Sequence, residues 1–478
     1  MSLSDYDTVI GLETHVQLAT RTKMFCGCRN TFGEAPNSVT CPVCLGLPGA
    51  LPVANAEAFR LAIRAGLALG CEIATTTRFD RKNYFYPDLP KGYQISQLDH
   101  PINGHGLVEL SLTGTGQVTI DRAHLEEDAG KCVHEGADNT TLVDLNRCGI
   151  PLLEIVTGCD ITSADMAHAY LTQLRLNLRQ LGVSDCDMEK GSLRCDVNIS
   201  LKPTGAERLG TKIELKNLNS FKMVRRAILH EQERQSSILD GGDTIDAEET
   251  RLWDDDAGET RLMRRKEDSA DYRYYPDPDL PPHDIATSMV EEQRALIGEL
   301  PGLRKQRYME EMGLSEKEAL PLVQQLDRAA FFEETAKLCN SPQKAANWVL
   351  GELFAALKNG DRALEDLALT PTRLTELIAL TEDGTLNIAA AREVFSELLN
   401  TDGNPRDIAE QRGLLQLSDE DELRATVMAA MEANPKAVED IRSGNKKAAG
   451  ALVGAVMKAT GGRANPGVVN RLISEMVN

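Results

Sequence analysis

Alternating apolar and polar residues characterise much of the first 290 positions of the chain. Runs with this two-residue period are YDTVIGLETHVQL, GQVTIDRAHLEE, CDVNISL and TKIELKNL. A two-residue period places successive side chains on opposite faces of a strand. These runs therefore predict strands that bury one face.

Helical patterns are interleaved with these strands. Apolar residues recur at helical spacing over 56–70, 163–182 and 220–239. The first two segments end in Gly70 and Gly182, and glycine favours the left-handed conformation that closes a helix. Because strands and helices mix without a regular strand–helix–strand alternation, the pattern predicts an α+β fold.

Two breaks rich in turn-forming residues divide the chain. The segment YPDPDLPPHDIA covers 275–286, and NTDGNPRD covers 400–407. The pattern between the breaks is almost purely helical, and the tail has a helical pattern of its own. We therefore predict an α+β domain over 1–290, a helical domain over 291–403 and a small helical tail over 408–478.

The length and the net charge of the chain limit the classes of function that it can have. A chain of 478 residues exceeds the roughly 250–300 residues at which single cores stop growing. Its net charge of −21 argues against broad coating of nucleic acid, which requires a basic surface. The start MSLSDYDTVIGLE has no signal-peptide pattern, and no apolar run approaches the roughly 18–20 residues of a membrane span. We expect a cytoplasmic protein without a membrane partner.

Four of the eleven cysteines form two close pairs. Cys26-x-Cys28 and Cys41-x2-Cys44 are separated by twelve residues. In a reducing compartment, such pairs across a short loop predict a tetrahedral zinc site over 26–44. Four unrelated buried cysteines would not explain this spacing. Four thiolates leave no open position for water, so we expect a structural site rather than a catalytic one.

Polar side chains recur on one face of several predicted strands. They are Glu13, His15 and Gln17 in the first run, His124 and Glu126 in the second, Asp196 and Asn198 in the third, and Lys212, Glu214 and Lys216 in the fourth. Glu127 points away from the face of Glu126. A sheet with one wetted face explains any single strand. Together, carboxylates with an imidazole favour a hard cation such as Mg²⁺. The sequence contains no G-x4-GK[ST] phosphate-binding loop, so the pattern suggests phosphoryl transfer that does not use such a loop.

A run of cations and aromatic residues occupies 81–97. This run, RKNYFYPDLPKGYQISQ, contains Lys82, Tyr84 and Lys91, and a similar run, DYRYYPDPDLPP, covers 271–282. Aromatic rings beside cations can stack on bases while the cations neutralise phosphate. A proline-rich loop that is anchored to the core by its rings explains the pattern equally well.

Long sequence blocks follow one another in a distinctive order. They are VIGLETHVQL, the cysteine loop, RKNYFYPDLPKGYQISQ, HLEEDAGK, VDLNRCGIPLLEIVT, GSLRCDVNISL, IELKNLNSFKMVRRAI, DYRYYPDPDLPP and GNKKAAGALVGAVMKATGGRANPGVVNRLI. Together they resemble the B subunits of tRNA-dependent amidotransferases, the GatB/GatE family, over essentially the whole chain. The resemblance implies a glutamine-synthetase-like cradle with a mixed or antiparallel sheet and helices, then an all-α middle domain and a small all-α tail.

The resemblance also implies an activity. Such a protein uses ATP to phosphorylate the side-chain carboxylate of Glu-tRNA(Gln) and/or Asp-tRNA(Asn), and ammonia from a separate glutaminase then displaces the phosphate. The implied enzyme is a ligase that forms carbon–nitrogen bonds with glutamine as amide donor. The implied protein partners are the A subunit, which is an amidase (glutaminase), and the small C subunit, and the three chains form a heterotrimer. Further implied partners are the misacylated tRNA and a non-discriminating aminoacyl-tRNA synthetase.

Site residues follow from the matching motifs. The resemblance implies Mg²⁺ ligands among Glu13, His15, Glu126, Glu127 and Asp196, beside bound ATP. It implies catalytic roles for Lys82, Tyr84, Lys91, Glu126 and Glu127, and structural Zn²⁺ ligands at Cys26, Cys28, Cys41 and Cys44. The glutamate doublet leaves open which of its two members faces the metal.

Local basic residues are the candidate tRNA contacts of this acidic chain. They are Arg225 and Arg226 near the third helical segment and, in the tail, Lys446, Lys447, Lys458 and Arg463. Lysine and arginine neutralise phosphates in nucleic-acid complexes. A solvated helix face explains each residue alone, but the tail as a whole resembles the tRNA-contacting tail of the family.

Three other functions stay open at the level of sequence. A zinc-stapled, non-catalytic RNA-binding protein explains the cysteines and the aromatic loop but gives the clustered carboxylates no role. A free-standing glutamine-synthetase-like ligase would act on a small acid without tRNA. A pure scaffold explains the fewest features.

Overall fold

The computed structural model describes residues 5–134, 140–265, 272–360, 362–417, 420–443 and 448–477. The chain forms two compact units, Met1–Gln306 and Arg307–Asn478. The described strands lie in the first unit, and the second unit is helical. The α+β prediction, with helices following an N-terminal sheet, is confirmed. The finer division at 290 and 403–408 stays a prediction.

The strands, in chain order, are β1 (Tyr6–Gln17), β2 (Thr76–Thr77), β3 (Asp80–Asn83), β4 (Tyr93–Ser96), β5 (Gly106–Glu109), β6 (Gln117–Glu127), β7 (Lys131–Val133), β8 (Leu142–Asp144), β9 (Pro151–Thr157), β10 (Leu193–Pro203), β11 (Ile213–Lys216), β12 (Glu249–Asp254), β13 (Glu259–Arg265), β14 (Tyr275–Pro276) and β15 (His283–Asp284).

The helices are α1 (Ala56–Ala68), α2 (Ala164–Gln180), α3 (Phe221–Asp240), α4 (Thr287–Ala295), α5 (Pro301–Glu310), α6 (Glu316–Leu322), α7 (Leu326–Leu338), α8 (Pro342–Trp348), α9 (Phe354–Gly360), α10 (Pro371–Glu382), α11 (Ile388–Leu398), α12 (Pro405–Gln411), α13 (Glu420–Ala433), α14 (Pro435–Arg442), α15 (Ala449–Ala459) and α16 (Pro466–Val477). A π-helical turn (Val349–Leu353) joins α8 to α9, and a 3₁₀ turn covers Leu364–Asp366.

The largest sheet of the described residues has eight strands in the order β13-β12-β11-β10-β1-β9-β6-β5. Its neighbouring strands are antiparallel except β11 and β12, which are parallel. β1 therefore has β10 on one side and β9 on the other. A smaller sheet, β14-β3-β4, brings together the two tyrosine-rich runs.

The apolar face of the large sheet packs against helices. In β1, Ile10, Leu12 and Val16 are fully buried, whereas Glu13 and His15 lie on the other face, as the alternation predicts. Helix α3 packs on β10, and α1 packs on β6. Burial of a large aliphatic side chain contributes about 1.5–3 kcal/mol. This packing fixes which face of the sheet carries the polar residues.

The three helices predicted in the first unit are confirmed. Asn55, Ser163 and Ser220 cap α1, α2 and α3 by accepting backbone N–H groups of the first turn. Gly70 and Gly182 follow α1 and α2 with φ of +68° and +66°. These values are the left-handed conformation that the sequence predicted for both glycines.

The second unit contains two groups of helices. Helix α12 packs with α10 and α11, which places it with the helices that precede it. Helices α13 to α16 share a core of their own, built on Leu423, Val427, Leu452, Val456 and Leu472.

Within the described ranges, no helix combines the length and apolarity needed to cross a membrane.

Candidate active site

Four strands bring polar side chains into one row on the open face of the sheet. The register places Glu13 of β1 opposite Asp196 of β10, and His15 of β1 opposite Glu154 of β9. Glu154 in turn lies opposite His124 of β6. Directly opposed residues have Cβ atoms about 4.5–5.5 Å apart. Side chains from distant stretches of sequence therefore meet on this face.

His15, Glu126 and Glu154 form the tightest group in this row. His15 Nε2 lies 3.5 Å from Glu126 Oε1 and 3.4 Å from Glu154 Oε2. His124 Nε2 lies 3.2 Å from Glu154 Oε2, and Ser96 Oγ donates to Glu126 Oε2 at 3.4 Å. The side chain of Glu126 is only 3% exposed. Two carboxylates and two imidazoles thus lie close together in a largely buried space.

The pKa values show that this space favours positive charge. Burial lowers the pKa of His15, but its hydrogen bond to Glu154 and the charges of Glu154 and Glu126 outweigh burial and raise the pKa to about 9. Burial raises the pKa of Glu126, and the charge of Glu154 adds to that rise. Burial also opposes ionisation of Glu154, but His124 and His15 hold its pKa well below its usual value. An added cation would lower the energy of both carboxylates.

The same group fits a divalent metal. One ligand atom each from His15, Glu126 and Glu154 lies within 4.8 Å of the others. Carboxylate oxygens with one imidazole suit a hard divalent cation. The chemistry of the donor set therefore supports a cation at this position.

Sequence reasoning did not name Glu154. The residue lies in PLLEIVT, a strand whose other side chains are apolar apart from its final threonine. A carboxylate in a largely buried strand costs free energy unless it is paired or binds a cation. That cost is the signal that could have identified Glu154.

Glu126 and Glu127 are adjacent in β6 and point to opposite faces, as predicted. The Glu127 carboxylate forms an ion pair with the Lys91 ammonium group and accepts the Ile95 backbone N–H at 3.0 Å. Glu126 instead faces His15. The arrangement favours Glu126 over Glu127 as a metal ligand.

Glu13 and Asp196 lie on the same polar face but contact other groups. Asn198 Nδ2 donates to Glu13 Oε1 at 2.8 Å. Lys216 Nζ lies 2.5 Å from Asp196 Oδ2 and 3.0 Å from Glu214 Oε1. Neither Glu13 nor Asp196 joins the tight group described above among the residues that the structure describes. Their assignment as metal ligands stays a prediction.

A layer of cations and rings lies next to the carboxylates. Lys82 Nζ is 4.8 Å from the ring centroid of Tyr272 and 5.9 Å from that of Tyr84. Burial lowers the pKa of Lys82, but the nearby groups of Tyr274 and Glu126 outweigh burial and raise it. The rings also favour the ammonium form through cation–π contact. Lys82 is therefore a fixed positive charge beside the acidic group.

A groove of about 810 Å³ lies at one end of the polar row. Its lining includes Gln17, Ser192 and Arg194. Arg194 lies opposite His15 in the strand register. The volume falls in the range of small-molecule and cofactor sites.

The four cysteines of the predicted zinc loop converge. One Sγ atom from each lies within 4.8 Å of the others. The Sγ atoms of Cys41 and Cys44 are 3.9 Å apart, close to the roughly 3.8 Å expected for tetrahedral Zn–S bonds of about 2.3 Å. A hydrogen bond from Cys26 and the nearby Lys23 ammonium lower the pKa of Cys44 to about 5, although burial opposes this. Burial raises the pKa of Cys28 to about 11, so the convergence of the four Sγ atoms is the observation that allows the cluster to hold a metal such as zinc.

Two candidate tRNA contacts in α3 already have acidic partners. Arg225 Nε lies 2.6 Å from an oxygen of Asp165, and Arg226 Nη1 lies 2.5 Å from an oxygen of Asp255. These ion pairs reduce the positive charge that either arginine presents to a phosphate. The two arginines are therefore weaker candidates than the basic residues of the tail.

The tail candidates lie around α15. Lys458 is exposed in the last turn of that helix, and Arg463 is exposed while its Nε donates to Thr460 O at 3.3 Å. Lys446 and Lys447 lie outside the described residues. Lys458 and Arg463 therefore have the exposure that phosphate contacts require.

Comparison with known proteins gives consistent matches along the chain. A family model described as the GatB/GatE catalytic domain matches residues 8–291, and one described as the GatB domain matches residues 330–477. The B subunit of the aspartyl/glutamyl-tRNA(Asn/Gln) amidotransferase of Brevibacillus brevis is 48% identical over 477 residues, covering 100% of both chains. The corresponding protein of Geobacillus thermodenitrificans is 49% identical, covering 99% of each chain, and that of Persephonella marina is 48% identical, covering 99% of this chain and 100% of the relative. With both halves matched and relatives nearly half identical along their whole length, this chain belongs to the GatB/GatE family.

Proposed function

We propose that the chain is the B subunit of a tRNA-dependent amidotransferase that acts on Glu-tRNA(Gln), Asp-tRNA(Asn) or both. The names of its full-length relatives support this reaction class. The observation that carries the proposal is the group of His15, Glu126 and Glu154 beside Lys82. Burying two carboxylates together costs free energy. A non-catalytic RNA-binding protein gives that cost no purpose and is not favoured.

The reaction has two steps. A carboxylate is a poor electrophile because it lacks a good leaving group. Transfer of the γ-phosphoryl group of ATP to a carboxylate oxygen forms an acyl phosphate and ADP. Ammonia then attacks the carbonyl carbon, the carbon–oxygen bond to phosphate breaks, and the amide, phosphate and a proton are released. Negative charge accumulates in the first step, so the site must supply positive charge.

The polar row would supply that charge. His15, Glu126 and Glu154 would hold a divalent cation such as Mg²⁺, which neutralises phosphate oxygens when it is bound. Glu13 and Asp196 are retained as candidates for a neighbouring cation position because the register places them beside His15 on the same face. The groove near Arg194 is large enough for ATP and borders this row.

Lys82 and Tyr84 would orient the anionic reactants. The Lys82 ammonium group is close to Glu126 and is fixed by two tyrosine rings, so it can pair with a phosphate or a substrate carboxylate. Burial raises the pKa of Tyr84, and the charges of Glu126 and Glu127 contribute to that rise. Tyr84 is therefore near both glutamates. Glu127 lies on the opposite face in an ion pair with Lys91, so this pair would act by holding the run that carries Tyr84 beside the site.

The remaining assignments concern metal, partners and tRNA. Cys26, Cys28, Cys41 and Cys44 would hold a structural zinc ion. The A subunit, an amidase, would supply ammonia, and the small C subunit would complete a heterotrimer. The tail would contact the tRNA through Lys458 and Arg463, with Lys446 and Lys447 as further candidates. A non-discriminating aminoacyl-tRNA synthetase would supply the misacylated tRNA.

An amidation assay tests the proposed function. The chain is co-expressed with the amidase and the small third protein of the heterotrimer, and is supplied with ATP, glutamine and each misacylated tRNA. We expect amide formation on at least one tRNA, accompanied by ADP release. Glu126→Gln should abolish that product, whereas Glu109→Gln, which changes an exposed carboxylate on β5, should retain it.

Two outcomes would contradict the proposal. A wild-type rate of amidation by the Glu126→Gln variant would contradict the assignment of Glu126 as a metal ligand. Equal turnover of free glutamate in the absence of tRNA would instead support a free-standing ligase that acts on a small acid.

A further inference from the structure

The cysteine loop ends in a tight turn. Leu45 N donates to Cys41 O at 3.0 Å, and Gly46 N donates to Val43 O at 3.0 Å. Gly46 closes the turn with φ of +63°, a conformation that favours glycine. Cys41 and Cys44 both lie in this turn. A metal bound by them therefore fixes the path of the chain into Gly46.

Gly46 packs directly against Lys91. A Cβ atom at position 46 would lie 2.4 Å from Lys91 Cγ and 3.3 Å from Lys91 Cα. Carbon atoms that are not bonded to each other prefer separations of about 3.5–4.0 Å. The bare backbone of Gly46 is therefore the surface against which the stem of Lys91 rests.

On the far side of this contact, Lys91 reaches Glu127. Its ammonium group forms the ion pair with the Glu127 carboxylate, and the Lys91 side chain is only 10% exposed. The same carboxylate oxygen of Glu127 accepts the Ile95 backbone N–H at 3.0 Å. A cavity of about 110 Å³ is lined by Cys44 and Gly46 as well as by the ion pair. The turn and the ion pair therefore border the same cavity.

We propose that Gly46 is a positioning residue through which the metal-held cysteine loop seats Lys91 against Glu127. The importance of that ion pair for amidation rests on the proposed function. The contact itself does not depend on it. The cysteine loop is then more than a local staple, because binding of a metal by its four thiolates sets the geometry of the Lys91–Glu127 ion pair.

The base of the loop is suited to this role. Lys23 is fully buried, and its Nζ donates to Val39 O at 2.8 Å and lies 3.8 Å from Cys44 Sγ. This ammonium group ties the loop to its own thiol cluster and partly balances the negative charge of the thiolates. Through these contacts, metal binding by Cys44 would be coupled to the position of the loop.

Two glycine variants in the loop separate contact from backbone strain. Gly46→Ala introduces a Cβ that collides with Lys91. Gly49→Ala is the matched control, because Gly49 has φ of +83° but nothing within 4 Å of its added Cβ. Both variants carry backbone strain from a positive φ, and only the first meets Lys91.

The measurement is the acetylation rate of Lys91 in the full-length, metal-loaded chain. Limiting acetic anhydride is used, peptides are quantified by mass spectrometry, and Lys190, with 51% side-chain exposure, is the internal reference. We expect Gly46→Ala to accelerate Lys91 acetylation several-fold because the amine leaves Glu127. Gly49→Ala should match wild type. An unchanged rate in Gly46→Ala, or equal acceleration in both variants, would overturn the proposal.

Metal removal gives a second measurement that does not depend on the folding of a variant. Treatment of the wild-type chain with a zinc chelator should accelerate Lys91 acetylation, and readdition of zinc should reverse the change. Constant Lys91 acetylation after measured metal loss would overturn the proposed coupling. Both labelling results can be obtained even if the chain fails the amidation assay, so failure of the proposed function is distinguishable from failure of this inference.

In the assembled amidotransferase, Gly46→Ala should lower kcat and leave the KM for ATP unchanged. A lower rate of chemistry without weaker nucleotide binding distinguishes a displaced Lys91 from general damage to the sheet. A raised KM for ATP with unchanged kcat would contradict the positioning role.

Discussion

Two groups of metal-capable side chains lie among the described residues of the first unit, and they are built in opposite ways. The cysteines come from one stretch of chain, 26–44, whereas His15, Glu126 and Glu154 come from three separate strands. Four thiolates close a tetrahedral shell, but three ligands leave coordination positions for reactants. We therefore expect the local cluster to maintain geometry and the assembled cluster to support chemistry.

After the Glu126→Gln variant described above, the largest effect should come from Glu154→Gln. This change keeps the shape of the side chain and removes the charge that faces His15 and His124. ATP-dependent amidation should fall about 10²–10³-fold, as expected when a preorganised electrostatic element is lost. Steady-state rates on both misacylated tRNAs test this. Near-wild-type rates would place the reactive metal elsewhere.

The charge of Lys82 should have the next largest effect. Lys82→Met keeps a long unbranched side chain at this position and removes the ammonium group that lies near the two tyrosine rings. We expect amidation to fall about 10–100-fold, equivalent to about 1.4–2.7 kcal/mol of lost stabilisation. Lys82→Arg is the control, and part of the activity should return. Equal activity of the methionine and arginine variants would exclude a role for the charge.

A smaller effect should follow from opening the cysteine cluster. Cys41→Ser should eliminate one equivalent of bound metal and lower the melting temperature by about 5 °C, because the loop loses its fixed fold. Amidation should fall only about tenfold, since the polar row retains its own residues. Metal analysis, calorimetry and rate measurements check these three values together. A loss of activity as deep as that of Glu154→Gln would contradict the division of roles.

The smallest effect should come from the tail. Because α12 packs with α10 and α11, the deletion should begin after Leu417 rather than at residue 408. Removal of 418–478 should weaken tRNA binding about fivefold through the loss of a few phosphate contacts. Filter binding at two salt concentrations measures this. Unchanged tRNA affinity in this deletion would show that the tail is not part of the tRNA interface.

The sequence predicted the parts of the fold that depend on local pattern. The buried residues Ile10, Leu12 and Val16 alternate with Glu13 and His15, and the structure keeps that alternation. The cysteine pairs predicted a cluster because their spacing alone limits how far apart they can lie. These features follow from periods of two residues or from short loops, which a single segment defines.

The rest depends on how distant segments pair. Whether His15 meets Glu154 is decided by the order β10-β1-β9-β6, in which neighbouring strands are not consecutive. The pairing of Lys91 with Glu127 likewise requires a loop to fold onto a strand. The sequence indicated that Glu126 and Glu127 point to opposite faces, but it did not indicate which of them faces His15. Strand order and register carry that information, and alternation within one strand does not.

The most direct test of the central claim is an anomalous diffraction experiment on the assembled enzyme with Mn²⁺ in place of Mg²⁺ and a non-hydrolysable ATP analogue. The account predicts a manganese peak within about 2.0–2.3 Å of His15 Nε2 and of carboxylate oxygens of Glu126 and Glu154. A bound nucleotide with no manganese among these three residues, in crystals whose protein catalyses amidation in solution, would contradict it.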